Sequence, residues 1–269
     1  MTSSRNNKTV SVILPNYNYA KYISGRIDEV LNQTYPVSEI IILDDASTDN
    51  SVEIIKEKCA KLKKLRPEMT IKLLVNKQNS GNVFSQWQKG IKLAASDYIW
   101  IAELDDVAKP QLLEIALEHF DDNTALVCAG SRFIDENGKL VLKDNLRKIK
   151  DSFRRNILVY NTIPNVSAVV FKNSPKLCEF LEEAKKYHLS GDWYFYVRIS
   201  ELGKIVYLKK VLNYHRLHEA SVTGATDCKK RLAEMKSIHK YILEKKIPNE
   251  MTKKSMERIE VKLKKKWNL

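Results

Sequence analysis

Long apolar runs, paired cysteines and low-complexity stretches are all missing from this chain of 269 residues. No stretch approaches the ~18 apolar residues that a membrane-spanning helix needs. The segment Met1–Lys8 is polar and has no apolar h-region, so no secretory signal is expected. The four cysteines, Cys59, Cys128, Cys178 and Cys228, lie far apart and form no CxxC or Cys/His cluster. That spacing excludes a structural zinc site and points to reduced thiols in a cytoplasmic protein. No internal repeat is visible either, which removes solenoids and propellers. With 43% hydrophobic and 29% charged residues, the composition is that of an ordinary globular chain, long enough to bury a large core.

Positive charge is present in excess but unevenly. Of a formal net charge of +13, residues 229–269 carry +9, from 14 Lys/Arg against 5 Asp/Glu. Two helical stripes run through this segment: Leu232, Met235, Ile238 and Ile242, then, after Pro248, Met256, Ile259, Leu263 and Trp267. They predict a basic helical extension over residues 224–269, packed on the body. Its charge and Trp267 could also hold the chain peripherally at the anionic inner face of the plasma membrane.

The first half alternates strand and helix patterns. Val10–Leu14, Glu39–Leu43, Ile71–Val75 and Tyr98–Ala102 read as strands, with Ala125–Ala129 a further one. Between them, Ile23/Ile27/Val30/Leu31, Val52/Ile55/Cys59/Leu62 and Val83/Trp87/Ile91/Ala95 fall at helical spacing. Alternation of this kind predicts an α/β fold with a Rossmann-like, mostly parallel central sheet flanked by helices. Ligands in such folds bind beyond the carboxyl ends of the strands. The second half is less regular. A hairpin is expected around Asn137-Gly138, a strand over Asn165–Lys172, a helix over Asp192–Leu202 capped by Asp192, and a strand over Lys204–Leu208.

Acidic residues stand where such a fold places its ligand. Asp44-Asp45 follows the second strand, and Glu103-Leu-Asp105-Asp106 follows the fourth. Parallel strands end on one edge, so these carboxylates should converge. Clustered anions are costly unless a cation joins them. A hard divalent ion, Mg²⁺ or Mn²⁺, suits oxygen ligands and leaves positions for substrate phosphates. Each pair taken alone could merely cap a turn or a helix, and Tyr214-His215-Arg216-Leu217-His218 could be structural. Nucleic acid is a poor partner for this body, because the acidic pairs would repel phosphate and no RNP, helix-turn-helix or zinc-finger pattern occurs. A phosphoacceptor receiver-type domain would be shorter and would leave Asp192 and the Arg216–His218 segment unexplained.

An ordered series of motifs resembles the family 2 glycosyltransferases of GT-A fold over roughly Thr9 to Thr223. It comprises Val10-Ser-Val-Ile-Leu-Pro15-Asn-Tyr17-Asn18, Leu31-Asn-Gln33-Thr34-Tyr35, Ile41-Ile-Leu-Asp44-Asp45-Ala-Ser47-Thr-Asp49, Asn79-Ser-Gly81-Asn82, Glu103-Leu-Asp105-Asp106, Gly191-Asp192-Trp193 and Arg216-Leu-His218 with Ser221-Val-Thr223. The resemblance implies a domain over 1–223, with a nucleotide-binding half (1–107) and an acceptor-binding half (108–223). It also implies a metal-dependent inverting transferase moving one sugar from a nucleotide-sugar, UDP first among the nucleotides, to a glycan or lipid-linked acceptor in bacterial surface polysaccharide synthesis. Pro15, Tyr17, Asp44, Asp45 and Gly81 would line the nucleotide site. Asp105 and Asp106 would bind ribose and Mn²⁺ or Mg²⁺, with Asp106 the first choice as direct ligand. His218 would reach the metal or the diphosphate, and Asp192 would be the general base. Glu103 departs from the family's usual Asp, which keeps open a catalytically silent nucleotide-sugar-binding protein of the same fold. The QxxRW element of processive members is not found.

Overall fold

The computed structural model describes residues 8–141, 156–217, 227–245 and 248–267. Four strands, β1 (Val10–Asn16), β2 (Glu39–Asp44), β3 (Thr70–Val75) and β4 (Tyr98–Ile101), alternate with the helices α1 (Ala20–Leu31), α2 (Ser51–Leu65) and α3 (Val83–Leu93). The strands pair in parallel, in the order β3-β2-β1-β4. Strand side chains alternate between the two faces. Val12, Leu14, Ile40, Ile42 and Trp100 enter the core under α1 and α2, while Ile13, Ile41, Leu43, Ile99 and Ile101 enter the core under α3. Both faces of the sheet are therefore covered, which is why these strands read as unbroken apolar runs rather than as alternating ones.

Beyond β4 the sheet becomes mixed. The short β5 (Val107–Ala108) and helix α4 (Leu112–Glu118) precede β6 (Thr124–Ile134), β7 (Val169–Lys172), α5 (Lys176–Ala184), α6 (Gly191–Ile199) and β8 (Lys204–Arg216). The order continues β4-β7-β6-β8-β5, with β7 antiparallel to both neighbours and β8 parallel to β6. The expected hairpin forms: Ile134 bridges Leu140, and the Val141 N–H donates to Phe133 O at 3.0 Å.

Two sequence expectations need correction. Residues 166–168 of the expected Asn165–Lys172 strand form a 3₁₀ turn. The Ser167 carbonyl accepts the indole N–H of Trp100 (2.9 Å) and its hydroxyl accepts the Glu103 N–H (3.0 Å), contacts that draw the backbone out of the ladder. Helix α6 begins at Gly191 with Ser190, not Asp192, at its N-cap position, so Asp192 sits inside the first turn.

Helices α7 (Cys228–Glu244) and α8 (Glu250–Trp267) follow. Leu232, Met235, Ile238, Ile242, Met256 and Leu263 belong to the same core as α3, α5 and α6. The Glu234 carboxylate accepts the N–H groups of His188 and Leu189 at 2.9 and 3.0 Å. Trp267 packs against that core as a partly buried side chain, so it is not the outward anchor anticipated from its position. Among the described residues no helix is long and apolar enough to cross a membrane.

Candidate active site

Asp44 closes β2 in register with Asn16 of β1 and is fully buried. Its carboxylate accepts the Asn16 amide (2.6 Å) and the Ser47 N–H (3.0 Å). Asn18, in the left-handed region at φ 59°, accepts the Thr48 N–H at 2.7 Å. The loops after β1 and β2 are thus stapled together, and Asp44 is a member of the staple.

Asp45, the next residue, turns toward α3. Its Oδ1 accepts the Asn76 amide (2.6 Å), the Ser80 N–H (2.9 Å) and the Gln86 amide (2.7 Å), and its Oδ2 accepts the Ser80 hydroxyl (2.7 Å). Oδ2 is the oxygen with capacity to spare. Gly81 holds φ +65° in the loop beside it, donating its N–H to Asn79 at 2.7 Å. Pro15 is half-buried near the end of β1, and Tyr17 just beyond is 45% exposed, an aromatic face available to a ligand.

The second acidic group follows β4. The Trp87 indole N–H donates to Glu103 at 3.2 Å. Burial, with Asp105 and Asp106 nearby, pushes the Glu103 carboxyl up to about 8. Asp105 approaches the Tyr19 hydroxyl at 3.4 Å. Asp106 is buried, and both its oxygens are engaged: Oδ1 with the Arg216 N–H at 3.1 Å, Oδ2 with the Asn165 amide. Burial first, then Asp105, raises the Asp106 carboxyl. The Arg216 guanidinium donates to the carbonyls of Asp105, Asp135 and Glu136, tying the acidic turn to the hairpin.

Asp192 projects from the first turn of α6. Its Oδ1 accepts the Trp193 N–H (2.7 Å) and its Oδ2 the Asn161 amide (2.9 Å). Burial raises its carboxyl, against the lowering effect of those two donors. The distant groups meet around one helix. On α3, Gln86 holds Asp45, the adjacent Trp87 holds Glu103, and the Phe84 ring packs on Gly191, next to Asp192. Tyr196, one turn beyond Asp192, feels the charges of both Asp192 and Glu103.

A family model, Glycosyl transferase family 2, matches residues 11–173, more than half of the chain. The chain belongs to glycosyl transferase family 2. An uncharacterised glycosyltransferase of Nostoc sp. is 29% identical over 218 residues, covering 79% of this chain and 66% of that protein. Escherichia coli chondroitin synthase is 27% identical over 216 residues, 78% of this chain but 29% of the synthase. The chain thus spans less than two thirds of the length of these relatives. Among solved structures, Staphylococcus aureus TarS 1–349 in complex with UDP-GlcNAc superposes with a TM-score of 0.65 at 18% identity, covering 92% of this chain and 70% of that one. Mannosyltransferase PcManGT from Pyrobaculum calidifontis, in complex with GDP-Man and Mn²⁺, gives 0.61 at 16% identity, covering 94% and 69%. The fold is the GT-A fold expected for family 2.

Against the family pattern, Asp44, Asp45, Asp105, Asp106 and Asp192 all have defined places, whereas His218 and Ser221–Thr223 lie outside the described residues. Among the described residues no three His, Cys, Asp or Glu side chains form a ready-made metal cage. A cage is not required, since Mg²⁺ and Mn²⁺ at nucleotide sites use one or two carboxylates together with substrate phosphates. The donor set fits such an ion: three carboxylates crowd one turn, and burial together with their mutual repulsion raises Glu103 and Asp106. The sequence reading placed Trp87 on a helix face without a contact to the acidic turn, and missed Asn161 and Tyr19. Asn161 stands 31 residues from the Asp192 it touches, and no local pattern announces that pairing.

Proposed function

We propose that this chain transfers one sugar, with inversion, from a nucleotide-sugar to an acceptor hydroxyl, and that UDP is the nucleotide. The observation that carries the reading is the gathering of Asp45, Glu103 and Asp192 around the first turns of α3, at the carboxyl edge of the parallel strands. Tyr17 offers the nucleobase an exposed ring, and Asp45 Oδ2 an acceptor for a pyrimidine N–H. Asp105 and Asp106 would be the carboxylates toward Mn²⁺ or Mg²⁺, and Asp106 also holds the Arg216 N–H and the Asn165 amide. A divalent ion there would supply positive charge to the departing diphosphate. His218 would face the same diphosphate.

Asp192 would accept the proton of the acceptor hydroxyl as that oxygen attacks the anomeric carbon. Its burial favours proton uptake, and Asn161 and the Trp193 N–H fix its orientation. Two names support the donor class: TarS was solved with UDP-GlcNAc, and a relative, TarP of Staphylococcus aureus, is a poly(ribitol-phosphate) β-N-acetylglucosaminyltransferase, 26% identical over 215 residues. We take the acceptor to be a glycan or lipid-linked glycan of a bacterial surface polysaccharide. The test is nucleotide release from a panel of UDP-, dTDP- and GDP-sugars with Mn²⁺ or Mg²⁺ and mixed glycan acceptors. Acceptor-dependent release of UDP supports the reading. Binding without release under all conditions would leave a silent binding protein.

A further inference from the structure

Helix α8 presents two faces of opposite character. Its inner face buries Thr252, Met256 and Leu263, with Ile259 and Trp267 half-buried beside them. At 100° per residue, Met251, Lys254, Arg258, Val261, Lys262 and Lys265 fall on the outer face, and all six are exposed. Four are cationic, and none of these four forms an ion pair among the described residues. Of the three acids of the helix, Glu257 and Glu260 line the groove toward α7, with Glu260 pairing with Lys236 and Lys264, while Glu250, in the first turn and at the border of the outer face, pairs with Lys253. Met251 and Val261 are 73% and 66% exposed, two large apolar side chains on the same face.

The contrast with α2 shows that this is more than a lysine-rich helix. Lys56, Lys61, Lys63 and Lys64 are also exposed there, but Glu53 and Glu57 lie exposed between them. On α8 no acid falls between Lys254 and Lys262 around the helix, Met251 lies within that cationic stripe, and Val261 lies at its edge.

We propose that the outer face of α8 docks on an anionic lipid bilayer, with the helix lying flat along the surface for its length of about 27 Å. Cationic side chains of this kind meet lipid phosphate and carboxylate groups, while Met251 and Val261 enter the boundary between headgroups and acyl chains. A nucleic acid would use the same four charges but has no use for exposed Met and Val, so the apolar pair decides between the two. The proposal concerns a surface formed by α8 alone and does not depend on the identity of the sugar donor.

Co-sedimentation of the full chain with phosphatidylcholine vesicles, with and without phosphatidylglycerol, tests it. Binding should require phosphatidylglycerol. It should weaken from about 0.01 M to about 1 M salt, as the Debye length falls from roughly 30 to 3 Å. Replacing Lys254, Arg258, Lys262 and Lys265 by Gln should cost roughly fivefold in partitioning per charge, several-hundredfold in all. The M251S/V261S double variant should lose the part of the binding that survives high salt. The same four-Gln substitution at Lys56, Lys61, Lys63 and Lys64 should change binding far less. Failure to pellet at low salt, an equal loss in the α2 variant, or binding to duplex DNA tighter than to phosphatidylglycerol vesicles would each overturn the proposal.

Discussion

The side-chain amide of Asn161 lies 2.9 Å from Oδ2 of Asp192, and the other end of the same amide accepts the Ile163 N–H at 3.1 Å. Asn161 is therefore fixed before it fixes Asp192. With the Trp193 N–H on Oδ1, each carboxylate oxygen receives one donor and keeps a lone pair for an acceptor proton. The Asn161→Ala enzyme should lose roughly 10- to 100-fold in kcat through misorientation of the proposed base, with the KM for donor little changed. Loss of a donor that favours the anion should also move the acidic limb of the kcat–pH profile upward. A drop in kcat with no movement of that limb would assign Asn161 a purely structural role.

The Asp192→Asn enzyme should still bind nucleotide but lose about 10²–10⁴-fold in turnover. As the proposed base, Asp192 would work as the carboxylate, so kcat should fall as pH falls through its pKa. Burial raises that pKa, which shifts the acidic limb upward from the ordinary aspartate value. A kcat–pH profile shows the limb. A native profile with no acidic limb, or a variant of near-native turnover, would remove Asp192 from the role of base.

Asp105 and Asp106 should differ in their weight on the fold despite being neighbours. Asp105→Asn should weaken Mn²⁺-dependent UDP binding in titration calorimetry with little change in melting temperature. Asp106→Ala strips acceptors from the Arg216 N–H and the Asn165 amide, and should destabilise the fold by about 1–3 kcal/mol, readable in urea unfolding. Equal effects of both variants on stability would contradict this difference.

Local pattern carries far in the first half of the chain and much less in the second. The apolar runs of β1, β2 and β4 are legible because both faces of those strands are buried, and the acidic pairs are legible because they directly follow those runs. The antiparallel insertion of β7 between β4 and β6 leaves no such mark, since sheet order is set by non-local pairing. The 3₁₀ turn at 166–168 depends on Trp100 and Glu103, more than 60 residues away in sequence. Asp192 reads as a cap because Asp is a common capping residue, but the helix begins one turn position earlier, and the partner that orients the carboxylate is Asn161. The stripes of α7 and α8 show that they pack, but not that α7 reaches the residue next to Asp192.

That contact supports a pH prediction. His239 of α7 donates Nε2–H to the Val159 carbonyl at 2.9 Å and meets the Trp193 ring edge-on, with centroids 5.6 Å apart. Burial lowers its pKa below the ordinary imidazole value, against the raising effects of the Val159 hydrogen bond and Glu260. A lowered folded-state pKa means that the unfolded chain binds the proton first. The stability is complete above about pH 6.5 and declines as pH falls from there toward the folded-state value. Thermal melts across this window should show the decline, and it should be shallower in His239→Leu. An unchanged slope in that variant would place the effect elsewhere.

The junction of α3 and α6 gives the most direct test of how the site is assembled. A Cβ added at Gly191 would lie 2.5 Å from the Phe84 ring and 2.8 Å from the backbone oxygen of Ala184. The ring can tilt, but the carbonyl cannot move without shifting the end of α5. Gly191→Ala should therefore push α6 away from α3, destabilising the protein by about 1–3 kcal/mol. Because Asp192 follows directly, turnover should drop along with stability. The double variant Gly191→Ala/Phe84→Leu relieves the ring contact but not the Ala184 contact, so it should recover stability only in part. Full recovery of both stability and turnover would show that the ring alone enforces the spacing. No loss in the single variant would show that the two helices are not in close contact.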